Sequence, residues 1–393
     1  MTKKIRVCLL VPKFSRTKDE HDNVRGLASA LAKEIDVDVV APHGKETKNF
    51  DNFDNVDIYR FSYFFPKKKH MLAYDEGIIF NLKNSFLAKI QFPLFCISAF
   101  FKVIKVGRKC DIINAQWLPM GFIALLAKPF HRKPVIVTER HAGLLGYPEF
   151  MKKFVLRRAD KVIVVSSELF DKVKVYTNNV VNIPNFVDNK SLLDVDVSSL
   201  KKEFNIKNEK VVMFLSRLDP FYDPITFIDA VNLVVKDHKI KGLNIKFFVV
   251  GDGPLMEDVN KKIKDLGLGS KVVVVGFRND ANKFFVLSDI FVTLSPVENL
   301  WARTIIESIL AKTPCILTNA GETNKFFEHK KNAMLVKAGD GREVADSIIN
   351  LILDKDLCLK ITKNAYKMIQ DLGFSKENVL SNTLKAYNDI LVK

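Results

Sequence analysis

Residues 289–322 read D-I-F-V-T-L-S-P-V-E-N-L-W-A-R-T-I-I-E-S-I-L-A-K-T-P-C-I-L-T-N-A-G-E. The apolar run at 290–294 predicts a strand, and Ser295-Pro296 ends it. A helix is predicted from about 300 to Lys312-Thr313-Pro314, because proline lacks the N–H that a continuing helix needs. The apolar residues 315–317 then predict a second strand. Glu298 falls in the loop at the helix start, and Glu307 lies farther along the helix. A helix N-terminus behind a strand presents unpaired N–H groups and the positive end of the peptide dipole, which suits a diphosphate. A carboxylate farther along accepts hydrogen bonds from ribose hydroxyls. The pattern reads as a nucleotide-diphosphate pocket at the carboxyl edge of a parallel sheet.

The same alternation extends in both directions. Strands are predicted at 5–11, 37–41, 56–61, 111–115, 135–138, 161–165 and 180–183, with helices near 20–34, 79–107, 119–129, 149–158 and 167–174. After a polar stretch at 188–196, strands are predicted at 211–215, 245–250, 272–275, 290–294, 315–317 and 333–336. The helices among them fall near 224–236, 254–266, 280–287 and 300–312, and three more follow near 341–353, 356–371 and 376–391. With 393 residues, 48% of them hydrophobic, the chain supports two cores, and alternating elements make both of them doubly wound α/β domains.

With these elements in place the chain resembles the retaining, GT-B-fold glycosyltransferases of family 4 (glycosyl transferases group 1). The resemblance covers almost the whole chain and rests on five stretches. They are the 289–322 signature, S-R-L-D-P at 216–220, V-V-G-D-G-P-L at 249–255, I-I-N-A-Q-W-L-P-M-G at 112–121 and T-E-R-H-A-G at 138–143. It implies two Rossmann-like doubly wound domains facing each other across a cleft. Residues 1–188 would form the acceptor domain and 189–375 the donor domain, with 376–393 a C-terminal helix returning to the first domain. It implies transfer of a sugar from a nucleotide-diphosphate sugar to a saccharide or lipid-linked acceptor, in cell-surface polysaccharide or glycolipid synthesis. No cofactor is implied beyond the nucleotide-sugar as co-substrate.

Carried over residue by residue, the resemblance makes Arg217, Glu298 and His141 the catalytic candidates. The donor would be held by Arg217, Gly253, Phe277, Asn299, Leu300, Trp301, Arg303 and Glu307. Arg217 would grip the diphosphate, since a guanidinium is always charged and binds phosphate through paired N–H groups. Glu307 occupies the ribose position. The family separates its two glutamates by seven residues and this chain by eight, so either Glu298 or Asn299 fills the first slot. The family's phosphate lysine falls on Tyr222, and Arg303 in the first turn of the helix is the candidate replacement cation. Asn114 and Gln116 stand where the family has histidines, and the histidine of T-x-H-G aligns with Arg140 or, shifted by one, with His141. In the family the leaving phosphate assists the acceptor hydroxyl on the same face, so no enzymic nucleophile is needed.

Five cysteines (Cys8, Cys96, Cys110, Cys315 and Cys358) are scattered without C-x-x-C spacing, and no D-x-D pair ends a strand. The residues therefore point to buried thiols and to no metal site. The opening M-T-K-K-I-R-V-C-L-L-V-P enters a strand without a long apolar signal core and reads as cytoplasmic.

The net charge of +16 is uneven: residues 1–190 carry 32 basic and 19 acidic side chains, and the remainder 29 and 26. Nucleic-acid motifs are lacking, so an anionic membrane surface or an anionic saccharide suits the charge better. Residues 60–109 combine Lys67, Lys68, Lys69, Lys83, Lys89, Lys102, Lys105, Arg108 and Lys109 with eleven Phe and Tyr, opposed by Asp75 and Glu76. The apolar run 92–101 contains Pro93 and is too short to span a bilayer. The segment is either a face resting on anionic lipid, at the inner side of the plasma membrane, or a core helix with a lysine-rich solvent side.

One rival to the enzyme is a catalytically silent relative that binds nucleotide-sugar, glycan or a partner enzyme, a reading that Tyr222, the missing N-terminal glycine pair and the altered glutamate spacing favour and the presence of both Arg217 and Glu307 opposes. A phosphorylase of similar fold would need a cofactor lysine site that the sequence lacks.

Overall fold

The computed structural model describes residues 4–14, 23–44, 47–74, 78–140, 144, 146–185, 187, 192, 195–295, 303–321 and 323–392. The chain divides into two compact units, Met1–Phe186 with Lys376–Lys393, and Val187–Ser375. Each is built on its own sheet, so the fold is α/β with two Rossmann-like halves.

The first unit contains β1 (Arg6–Leu10), β2 (Asp36–Pro42), β3 (Phe50–Phe53), β4 (Val56–Phe61), β5 (Ile112–Gln116), β6 (Val135–Glu139), β7 (Lys161–Val164) and β8 (Val180–Asn182). Their order is β3-β4-β2-β1-β5-β6-β7-β8, and every pairing is parallel except that of β3 with β4. Cys8 and Leu10 of β1 pack into one core layer, and Val7 and Leu9 into the other. Burial on both faces is why these strands read as unbroken apolar runs. Helices Phe86–Gly107, Leu118–His131 and Glu149–Arg158 cover one face, while Asn23–Leu31 and Lys376–Leu391 cover the other.

The helix Lys376–Leu391 is fastened by more than apolar contact. Tyr387 is fully buried, and its hydroxyl accepts a hydrogen bond from Asn114 Nδ2 at 2.9 Å. Burial pushes the Tyr387 phenol up to about 12, so it stays neutral.

The second unit contains β9 (Lys210–Leu215), β10 (Ile245–Val250), β11 (Val272–Gly276), β12 (Ile290–Thr293), β13 (Cys315–Thr318) and β14 (Met334–Val336). All are parallel, in the order β11-β10-β9-β12-β13-β14. The chain lays down β9, β10 and β11 outward, then returns to place β12 on the other side of β9. That reversal makes the carboxyl ends of β9 and β12 the switch point of the sheet, where open α/β sheets bind ligands. The first sheet has the same reversal between β1 and β5.

Three features depart from the sequence reading. The edge strand β3 was not anticipated. Its residues are mostly exposed, and it exists because Asp54 and Asn55 both take left-handed backbone (φ 50° and 62°), as a two-residue hairpin turn requires. The helix expected over 79–107 is two helices, Ile78–Asn84 and Phe86–Gly107, because Ser85 caps the second by accepting from Ala88 N at 3.3 Å. Most consequentially, the apolar run 92–101 is only the middle of a 22-residue helix that is long and apolar enough to cross a membrane by length and composition. Lys89, Lys102 and Lys105 interrupt the run in sequence without interrupting the helix.

Tyr387→Phe should lower the unfolding free energy by about 1–2 kcal/mol, since Asn114 Nδ2 loses its buried acceptor. Denaturant titration checks this; an unchanged midpoint would mean that the Asn114–Tyr387 bond adds nothing to the hold on the helix.

Candidate functional site

At the switch point of the second sheet, three strand ends are laced by backbone. Ser216 N donates to Val250 O at 3.2 Å, Leu218 N to Asp252 O at 3.0 Å, and Gly251 N to Gly276 O at 2.9 Å. The lacing needs glycine. Gly251 has φ +135°, and a Cβ there would lie 1.9 Å from Ser216 O. At Gly253 a Cβ would lie 2.3 Å from Leu218 O, so this donor-binding candidate is required by chain packed on chain.

Arg217 projects from this stiff turn. Its side chain is 47% exposed, and its Nε lies 3.4 Å from Asp219 Oδ2. Five residues on, Tyr222 is partly buried against the apolar core, with its ring 5.0 Å from that of Phe221. Asp223 then caps the helix Pro224–Lys236 by accepting from Thr226 N at 3.2 Å. After β11, Phe277 is 73% exposed. Its neighbour Arg278 is committed to Asp280 (Nε–Oδ1 2.8 Å) and Glu203 (Nη1–Oε1 2.8 Å), which makes it a structural clamp.

Beyond β12 the helix Arg303–Leu310 buries Ile305, Ile306, Ile309 and Leu310 in the core, which fixes its rotation about its own axis. Glu307 is thereby held in place and only 7% exposed. Burial pushes its carboxyl above the ordinary carboxylate range, and the adjacent guanidinium of Arg303 pulls it back. Arg303 Nε donates to Glu307 Oε1 at 2.6 Å. The residue expected at a phosphate therefore engages the ribose candidate, because an i,i+4 Arg–Glu pair meets on one helix face and a buried carboxylate needs a partner. The other predicted residues of this helix start (Glu298, Asn299, Leu300 and Trp301) lie outside the described residues, as does His141.

The switch point of the first sheet carries a polar chain that the sequence reading saw only in pieces. Thr138 Oγ1 and Gln116 Nε2 each donate to Asn114 Oδ1 at 2.9 Å. Arg140 donates through Nε to Gln116 Oε1 at 3.1 Å and through Nη1 to Asn185 Oδ1 at 2.6 Å. Glu139 is fully buried and accepts from Leu118 N at 2.9 Å, setting a carboxylate at the start of the helix Leu118–His131. Trp117, at the turn into that helix, has φ 93°, a strained value for a residue with a side chain. The two positions where the family has histidines are thus joined, through Arg140, to Asn185 just after β8. The motifs at 112–121 and 138–143 signalled members of this network; Asn185 and Tyr387 enter it from distant sequence.

Arg303→Ala should lower stability at neutral pH by about 2 kcal/mol, because it strands the Glu307 carboxylate. With a folded-state pKa above the unfolded value, Glu307 takes up a proton on folding at mildly acidic pH. The penalty should therefore be full above the folded pKa and fade as pH falls through it, which denaturation at several pH values checks.

Comparison with known proteins bears on the family and the fold. The profile described as glycosyl transferases group 1 matches residues 196–368, and that described as glycosyltransferase family 4 matches residues 23–191. The chain is 24% identical over 315 residues to N-acetyl-alpha-D-glucosaminyl L-malate synthase of Bacillus anthracis, covering 77% of this chain and 81% of that one. It is 26% identical over 320 residues to UDP-Gal:alpha-D-GlcNAc-diphosphoundecaprenol alpha-1,3-galactosyltransferase of Escherichia coli, covering 74% and 78%. The crystal structure of Anabaena HepE in complex with UDP superposes with a TM-score of 0.73 at 20% identity, over 98% of this chain and 100% of that one, a likeness of fold. The chain belongs to the GT-B glycosyltransferases of family 4, group 1, and is a glycosyltransferase.

Proposed function

We propose that this glycosyltransferase moves a sugar, with retention at the anomeric carbon, from a nucleotide-diphosphate sugar to a saccharide or lipid-linked acceptor in cell-surface polysaccharide or glycolipid synthesis. The observation that carries this reading is the buried Glu307, paired with Arg303 on the helix after β12, next to the strand β9 whose end bears Arg217. A fixed carboxylate suits two ribose hydroxyls, and a cation on a rigid turn suits a diphosphate. The Escherichia coli relative is named for UDP-Gal and a diphosphoundecaprenol-linked acceptor, which supports a uridine nucleotide as the first donor to try.

In the reaction so read, the bond from the anomeric carbon to the diphosphate oxygen breaks, and the acceptor oxygen bonds to that carbon from the same face. The acceptor's hydroxyl proton passes to the departing diphosphate. Arg217 and the helix start behind β12 stabilise the charge that builds on the leaving group, and the reading calls on no cofactor or metal. A silent relative is the competing reading, favoured by Tyr222, an aromatic ring lying against the core where the family has a lysine.

Thermal shift against UDP-sugars, followed by diphosphate release with lipid-linked and saccharide acceptors, separates the two: a silent relative binds and releases nothing. Glu307→Ala should weaken UDP binding by about 1.5–3 kcal/mol in calorimetry, and unchanged binding removes Glu307 from the site. Because only the ionised carboxylate accepts from both hydroxyls, wild-type affinity should fall as pH drops through Glu307's raised pKa, and Glu307→Gln should flatten that profile. Arg217→Ala should reduce kcat/KM by roughly a hundredfold or more, whereas Tyr222→Lys should be tolerated or mildly activating.

A further inference from the structure

The helix Phe86–Gly107 is apolar on both sides. Ala88, Phe95, Ala99 and Val103 face the core, as a helix on a sheet should. Opposite them Phe86, Ile90, Leu94, Ile97 and Phe101 repeat at helical spacing and face outward, with Phe86 78% and Phe101 65% exposed. A helix of a water-bathed surface carries polar residues on that side. The stripe also continues beyond its own helix. Phe100 meets Phe130 at 5.7 Å, and Leu126 and Phe130, one turn apart on Leu118–His131, are both exposed. Next to them, Phe122 meets Phe154 at 5.0 Å, and Phe150, Phe154, Lys153, Arg157 and Arg158 line a shallow groove on Glu149–Arg158.

Charge says what covers this face. Residues 77–138 contain nine Lys and Arg and a single acidic residue, Asp111, which accepts from Arg6 N. Lys105, Arg108 and Lys109 gather at the carboxyl end of the long helix and are exposed together with Arg132. The helix Glu149–Arg158 adds one exposed carboxylate, Glu149, paired with Lys152 Nζ at 2.9 Å. Apolar rings on a surface, with cations around them and few carboxylates, complement the anionic headgroup region of a bilayer. Lys67, also in the basic cluster of the sequence, donates to Asn49 Oδ1 at 2.8 Å, and Arg108 Nε donates to Phe130 O at 3.2 Å; both bonds are to neutral oxygens and leave the charge in place.

We propose that the outward faces of Phe86–Gly107 and Leu118–His131, extended by Glu149–Arg158, form a docking surface for an anionic phospholipid bilayer, with the long helix lying in the interface. Crossing the bilayer would tear Phe95, Ala99 and Val103 out of the core of the first unit and uncover β1, β2 and β4. The surface stands whether or not the acceptor is lipid-linked.

The test is sedimentation of the full chain with phosphatidylcholine vesicles, with and without phosphatidylglycerol. Binding should need phosphatidylglycerol and be reversed by salt. The variant Lys105→Gln/Arg108→Gln/Lys109→Gln should lose roughly a hundredfold in partitioning at low salt. Phe86→Gln/Ile97→Gln/Phe101→Gln should lose about tenfold or more, while Leu353→Gln/Leu359→Gln, two exposed positions of the second unit, should bind like wild type. Circular dichroism confirms that each variant is folded. Three results would overturn the proposal: no binding at low salt, binding that resists salt and yields only to detergent (a crossing helix), or a lipid-free dimer abolished by the apolar triple variant while the wild type ignores vesicles.

Discussion

A carboxylate almost removed from water has to be met by a positive partner, and in this chain that constraint organises the candidate donor site. Glu307 is buried because Ile305, Ile306 and Ile309 on the same short helix anchor it in the core of the second unit. Arg303, one turn earlier, keeps the carboxylate available as an acceptor. Between them, packing and charge leave the group little freedom. A ribose whose hydroxyls replace or join the guanidinium finds an acceptor whose position has already been set, so little ordering remains to be done on binding.

The second element of the site is stiff for a different reason. The turns after β9, β10 and β11 lie so close that Gly251 and Gly253 admit no Cβ, and the backbone hydrogen bonds among them define the base from which Arg217 projects. Charge on a flexible lysine would have to be ordered when ligand arrives; charge on this turn is largely in place beforehand. The first unit uses side chains where the second uses backbone. Asn114, Gln116, Thr138, Arg140, Asn185 and Tyr387 satisfy one another at the switch point of its sheet, and the C-terminal helix is drawn into that network by one phenol.

Much of this was readable from residues. The strands β9 to β14 appear in the sequence as apolar runs because parallel strands are buried on both faces, and the helix carrying Glu307 was visible from its Thr313-Pro314 stop. The edge strand β3 was not, since an exposed hairpin depends on the left-handed backbone of Asp54 and Asn55 more than on apolar pattern. The helix Phe86–Gly107 falls within the 79–107 expected from the sequence, but its apolar length exceeds the run 92–101, because lysines that divide an apolar run in sequence lie at different angles around a helix axis. Arg303 and Glu307 stood at pairing distance in the sequence, yet only burial of the carboxylate decides that the guanidinium goes there. Contacts such as Asn114 with Tyr387, 273 residues apart, leave no local trace.

The proposed function requires Glu307 and Arg217 to hold the two ends of a nucleoside diphosphate at the switch point of the second sheet. A crystal structure of the full chain with UDP bound measures this most directly. The ribose hydroxyls should lie within hydrogen-bond distance of the Glu307 carboxylate and the diphosphate against the Arg217 guanidinium. UDP seated elsewhere, with Glu307 still closed on Arg303 and no phosphate oxygen near Arg217, would contradict it.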